Sequence, residues 1–182
     1  MTLVLTLAVA TTAAAAWTDL RRGEIPNWLT LGAFSAGVLA SGALAARAGG
    51  DPRAVALAVL GAFAGGLACA ILPFLLWRSG VMGGGDVKLF IALGSLVHAG
   101  AGLDIELSSF VAGSLVAPVQ LAFQGKLLVT LKRIGILLAN LALPAARRIA
   151  LPRSELTWFR FGPAILLATV WVCATGPRWG SL

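Results

Sequence analysis

Long apolar runs separated by short polar stretches dominate the chain and predict an all-α, polytopic transmembrane bundle of about six spans. The first run extends from about Thr2 to Thr18, and a polar connection from Asp19 to Asn27 follows it. A second run covers about Trp28 to Ala46 and ends at a turn made by Gly49, Gly50, Asp51 and Pro52. The third covers about Ala54 to Trp77 and leads into a glycine-rich loop from Arg78 to Gly85. A fourth starts near Asp86 and fades by Gly102, with Asp104 and Glu106 marking the next loop. The fifth covers about Leu107 to Phe123 and the sixth about Gly162 to Thr175. Only 13 residues separate Arg133 from Arg147, too few to cross a bilayer as a helix. The stretch from Gly125 to Arg160 therefore reads as a cytoplasmic amphipathic or interfacial segment, with a re-entrant segment as the alternative.

Composition agrees with lipid as the solvent. Of 182 residues, 59% are hydrophobic and 12% charged, and the mean hydropathy is +0.93. A soluble domain carries about 25% charged residues, so polar groups are too few here to cover the apolar surface. The length suits one membrane-embedded domain, residues 1–182. Cys69 and Cys173 both lie inside apolar runs with no CxxC, which points to small buried hydrophobes and to neither a disulfide framework nor a metal site. Thr11 to Ala16 are all small, but no Lys or Arg precedes the first apolar run, so a cleaved signal peptide is not expected.

The net charge of +7 changes the picture through its distribution. With the N-terminus outside, 11 of the 14 basic residues fall on the cytoplasmic side, and only Arg47, Arg53 and Arg178 fall outside. This orientation puts Asp19 and Asp86 at the same, cytoplasmic, boundary. No aromatic-interleaved basic patch of the nucleic-acid-binding kind occurs. Trp17, Trp28, Trp77 and Trp158 near the predicted boundaries suit an aromatic belt, and Gly61 and Gly65 suit close helix packing.

Among the seven acidic residues, Asp51, Asp104 and Glu106 read as solvated charges of outside loops, and Glu155 as local charge balance. Asp19 and Asp86 stand at span boundaries, where ionisable groups are costly and usually functional. Asp86 closes Gly83-Gly84-Gly85-Asp86, and three glycines permit close approach of backbone to a ligand. Asp86 is also a good helix cap. Asp19 is followed by Ile25-Pro26-Asn27, where Pro26 stops a helix and Asn27 suits an N-cap. His98, the single histidine, falls near the outer end of the fourth span, away from both aspartates, and reads as interfacial. Glu24 either supports Asp19 or pairs with Arg21 or Arg22.

Two carboxyl groups suffice for peptide hydrolysis. They share a proton when close; the ionised one activates water and the protonated one protonates the carbonyl oxygen and then the leaving amine. The pair titrates as a unit, which leaves the base and the acid unassigned. Two aspartates alone make a poor divalent-ion cage, so no metal and no cofactor is expected.

The segments Asp19…Ile25-Pro26-Asn27, Gly83-Gly84-Gly85-Asp86-Val87-Lys88-Leu89 and Phe161-Gly162-Pro163-Ala164 together resemble the type IV prepilin peptidases, membrane aspartyl proteases with a Gly-x-Gly-Asp motif. Their order and spacing are similar to the short six-span members that serve tight-adherence (Flp) pili. The resemblance implies Asp19 and Asp86 as catalytic aspartates. It implies Gly83, Gly84, Gly85, Lys88, Pro26, Asn27, Gly162 and Pro163 as substrate-binding or site-shaping residues, and Phe161 beside them. It also implies a prepilin-like membrane protein as substrate and the bacterial inner membrane as location. Larger members carry a cytoplasmic insert with paired CxxC motifs, associated with N-methylation; this chain has no CxxC, so methylation is not expected. The alternatives are a preflagellin-type peptidase, a small transporter or proton-conducting protein using Asp19 and Asp86, and a secretion scaffold without catalysis.

Overall fold

The computed structural model describes residues 2–123, 125, 128–129, 131–132, 160–176 and 178. These form the helices α1 (Thr2–Arg22), α2 (Asn27–Arg47), α3 (Pro52–Ala68), α4 (Ile71–Arg78), α5 (Gly84–Phe123) and α6 (Gly162–Thr175), the first five joined by short connections. The chain divides into two compact units, one of residues 1–113 and 160–182, the other of residues 114–159. The second unit holds the end of α5, with Pro118 inside the helix. Most of the predicted interfacial segment 125–160 lies outside the described residues.

Among the described residues, four stretches are long and apolar enough to cross a membrane: Leu3–Arg22, Asn27–Arg47, Pro52–Arg78 and Gly84–Val119. A shorter apolar helix is Gly162–Thr175. The protein is a multi-pass membrane protein. Its burial pattern is that of a lipid-solvated bundle, with large apolar side chains outward and small or polar ones inward. Leu39, Leu60 and Leu67 are exposed, while Ala8, Thr12, Ala15, Ser95 and Thr169 are fully buried. Lipid tails are as apolar as leucine, so helices gain by close contact and not by hiding leucine.

The stretch Gly84–Val119 is not one span. His98 has φ 60° and ψ 175°, a left-handed backbone rarely adopted by a residue with a side chain. There the chain folds back on itself. The rings of Phe90 and Phe110 stack with centroids 6.2 Å apart, whereas 20 residues of unbroken helix would separate them by about 30 Å. A Cβ on Gly102 would come within 3.1 Å of Gly94 Cα, placing the two arms in backbone contact. Two antiparallel arms result, within the single apolar stretch Gly84–Val119 that holds the sequence-based fourth and most of the fifth run. Their junction is His98, not the expected loop around Asp104 and Glu106. Those two residues lie inside the second arm and are buried, at 3% and 2% exposure. The solvated-loop reading of both is thereby corrected. In a lipid-solvated bundle the polar face of a helix turns inward, so an acidic pair marks the interior as readily as a loop.

Several local expectations shift similarly. The third span is broken between α3 and α4, where Cys69 caps α3 and Ala70 precedes α4. α1 continues past Asp19 to Arg22 and stops at Gly23, whose φ is +71°. Asp51 is the N-cap of α3, and its side chain accepts the N–H of Ala54 at 2.7 Å. His98 is exposed at the fold-back. Its Nε2 lies 3.3 Å from Ser41 Oγ, and its ring covers Gly61 of α3. Beside this turn is an apolar cavity of about 400 Å³, lined by Val4, Leu5, Leu44, Ala58 and Val97 among others.

Glycines close the bundle around the first arm of α5. Cβ atoms on Gly65 and Gly94 would each land inside the van der Waals shell of the other's carbonyl oxygen. One on Gly37 would meet Leu96 N at 2.7 Å. These contacts press α2 and α3 against the first arm of α5 at backbone distance.

Candidate active site

Asp19 comes from the last turn of α1 and Asp86 from the first turn of α5. Both are buried, at 7% and 8% exposure, and the charge of Asp19 acts on Asp86. Two carboxyl groups distant in sequence thus share one end of the bundle. Burial within electrostatic reach of each other disfavours double ionisation.

Backbone lies against each carboxyl. Oδ2 of Asp19 accepts the N–H of Gly162 at 2.9 Å, at the start of α6. Gly162 is required for this approach: a Cβ there would lie 2.9 Å from the same Oδ2 and 3.1 Å from Ala16 Cα. Ala15 and Ala16 of α1, both buried, provide the shallow surface on which α6 rests. Pro163 occupies the first turn of α6, where its missing N–H costs nothing, and the helix N-terminus favours a neighbouring negative charge. Arg160 adds a cation whose charge reaches Asp19, and its guanidinium donates to the carbonyl of Leu20.

Asp86 is tied to the glycine run. The Asp86 N–H donates to the Gly83 carbonyl at 3.2 Å, and a Cβ on Gly83 would lie 3.2 Å from Asp86 Oδ2. Gly84 packs on the indole of Trp77, with its Cβ direction 3.3 Å from Nε1. Gly85 packs on Ile25, where a Cβ would meet the Ile25 Cβ at 3.2 Å. Ile25 is itself buried. The Ile25-Pro26-Asn27 turn is therefore the wall against which the glycine run lies, and bulk at Gly85 would separate the two motifs.

Pro26 is the N-cap of α2, in extended conformation with φ −63° and ψ 138°. Asn27 is not the cap expected of it. It is the first residue of α2, and its Oδ1 accepts from Lys88 Nζ at 2.8 Å. Lys88 stands two residues beyond Asp86, about 200° around the helix, and faces outward while Asp86 faces inward. Glu24 is exposed. Phe161 is buried and packs near Phe90 and Phe110 at centroid distances of 6.4 and 5.7 Å. This aromatic cluster joins α6 to both arms of α5 directly below the carboxyl pair. Arg160 is the site residue that sequence reasoning missed; a lone arginine just before Phe161-Gly162-Pro163 was its only signal, and it was counted toward topology. Among the described residues, no group of three or more His, Cys, Asp or Glu side chains could hold a metal ion.

Residues 6–118 match the model of the type IV leader peptidase family. The chain belongs to that family. Over 86 residues it is 40% identical to a protein described as prepilin peptidase EppA from Methanothermobacter thermautotrophicus. The similarity covers 46% of this chain and 20% of that protein's length. No solved structure matches the chain.

Proposed function

We propose that this chain is a membrane aspartyl endopeptidase that removes the leader peptides of type IV, Flp-like prepilins at the cytoplasmic face of the inner membrane. The observation that carries the reading is the convergence of Asp19 and Asp86, two buried carboxyls from different helices, at one end of the bundle. That end is also the basic one: α1 closes with Arg21 and Arg22, and α4 with Arg78. The excess of Lys and Arg supports a cytoplasmic location for it.

In the proposed reaction the pair holds one proton. The ionised carboxyl takes a proton from water as the water oxygen bonds to the scissile carbonyl carbon. The protonated partner gives its proton to the carbonyl oxygen and, after proton return, the leaving nitrogen is protonated as the C–N bond breaks. The Gly162 N–H holds the Asp19 carboxyl in place through this cycle, and Gly83 packs against the Asp86 carboxyl. The glycine run, Pro26, Asn27, Gly162 and Pro163 shape the walls, and a site at the membrane boundary admits water while an apolar substrate helix docks from the lipid.

The test is leader cleavage in membranes by Asp19→Asn and Asp86→Asn. Each variant is expected to accumulate at wild-type level and to leave a prepilin uncut. Normal processing by either one removes that aspartate from the mechanism.

A further inference from the structure

Outside the carboxyl pair, the surface between α2 and α5 carries a groove of about 200 Å³ lined by Thr30, Leu31, Phe34, Lys88 and Ile91. Its floor and walls are apolar apart from Thr30, whose hydroxyl is turned back onto the carbonyl of Asn27 at 3.2 Å. Leu31 is 64% exposed and the adjoining Trp28 72% exposed, so the groove opens on the lipid-facing surface near the bundle end. At its rim stands Lys88, the one charged lining residue, with Nζ fixed by Asn27 Oδ1 at 2.8 Å. An ammonium has three donors, and among the described residues Asn27 takes one of them.

Size decides what fits. A helix with its side chains is about 10 Å across, much broader than a single hydrocarbon chain. A hydrocarbon chain is thin enough to enter. Charge decides the headgroup. The cation at the rim lies at the end of the bundle that also carries Arg21, Arg22 and Arg78, and basic pockets between membrane helices attract anionic lipid headgroups.

We infer that the α2–α5 groove is a binding site for one anionic phospholipid, its phosphate on Lys88 Nζ and the upper part of one acyl chain along Leu31, Phe34 and Ile91. The site is distinct from the carboxyl pair, since Lys88 and Asp86 point to opposite sides of α5. It stands whether or not Asp19 and Asp86 are catalytic. A lipid here would bridge Asn27 and Lys88 from outside and hold the Ile25–Asn27 turn against the glycine run, which makes site geometry sensitive to lipid charge.

The experiment is lipid retention by the full chain, purified in detergent, delipidated, and measured by native mass spectrometry with added phosphatidylglycerol or phosphatidylethanolamine. The expected result is a preference of about fivefold for phosphatidylglycerol, the contribution of one lysine near an anionic surface. Lys88→Gln is expected to abolish the preference, and Ile91→Trp to lower retention of both lipids by filling the groove. Should Ile91→Trp fail to fold, Lys88→Gln decides alone. Equal retention of the two lipids by the wild-type chain, or a preference that survives Lys88→Gln, overturns the proposal. A photoreactive side chain at position 31 that crosslinks to polypeptide and not to lipid in membranes also overturns it.

Discussion

The N–H of Gly162 donates to the carboxylate of Asp19 across 143 positions of sequence, at 2.9 Å and in a buried setting. This one bond ties the end of α1 to the start of α6 and places a helix N-terminus against one of the two converging carboxyls. The positive end of the helix dipole and the oriented N–H both favour negative charge there.

Gly162→Ala is expected to reduce leader cleavage by about 10- to 100-fold while the protein still inserts and accumulates. The added Cβ would meet Asp19 Oδ2 at 2.9 Å and Asp19 Cβ at 3.0 Å, so the carboxyl or the helix has to move by several tenths of an ångström. Misplacement of a reacting group by about 1 Å can cost roughly a hundredfold. Initial rates on a purified prepilin in detergent, normalised to enzyme amount, measure the effect. Wild-type rates would show that the Gly162–Asp19 contact does not set the geometry of the reaction.

The end of the bundle that carries this contact was partly legible in the sequence. Asp19, the glycine run and Phe161-Gly162-Pro163 each sit where an apolar run meets polar residues, and local composition makes that visible. Their mutual contacts were not legible, because Gly162 to Asp19 and Gly85 to Ile25 are long-range packing relations with no local signature. The fold-back at His98 was missed for a different reason. A left-handed residue is normally signalled by glycine, and here the turn falls on a histidine while Gly94, Gly100 and Gly102 flank it. The acidic residues just beyond were mistaken for the turn, although burial turns them inward. Asn27 was expected as a cap from its place after Pro26, but its amide is engaged by Lys88 from the neighbouring helix. Tertiary partners thus decided what local propensity left open.

Backbone-to-backbone packing in the bundle gives a stability prediction. Gly94→Ala is expected to destabilise the protein by about 1–3 kcal/mol, the usual range for overpacking, because the new methyl would overlap the Gly65 carbonyl oxygen, which sits on helix backbone and cannot rotate away. Gly32→Ala is the contrast. Gly32 lies inside α2 with nothing within 4 Å of its Cβ direction, so the substitution should be neutral or stabilising by up to about 1 kcal/mol through helix propensity. Thermal unfolding in one detergent measures both. Equal effects at the two positions would mean that the Gly65–Gly94 contact is looser than the structure shows.

Glu106 gives the last prediction. It is 2% exposed in the second arm of α5, and among the described residues its Oε2 is the buried side-chain polar atom without a hydrogen-bond partner. Its charge reaches the buried Cys69 on the facing helix end. A buried polar atom left unpaired costs about 1–3 kcal/mol. Glu106→Met keeps an unbranched side chain of similar length and removes both oxygens. It is therefore expected to raise the unfolding temperature, with a gain of about 1–3 kcal/mol, and to leave leader cleavage unchanged. Glu106→Gln keeps two polar atoms in the same place and is expected to gain less than Glu106→Met. Nothing in the proposed reaction uses this residue: Glu106 lies one helical turn beyond Phe110, on the far side of the aromatic cluster from Asp19 and Asp86. Unfolding temperature and cleavage rate, measured on the same preparations, separate the outcomes. A folded Glu106→Met protein that no longer cleaves would show that the orphaned carboxyl serves the reaction, and a lower unfolding temperature would show that it has a structural partner.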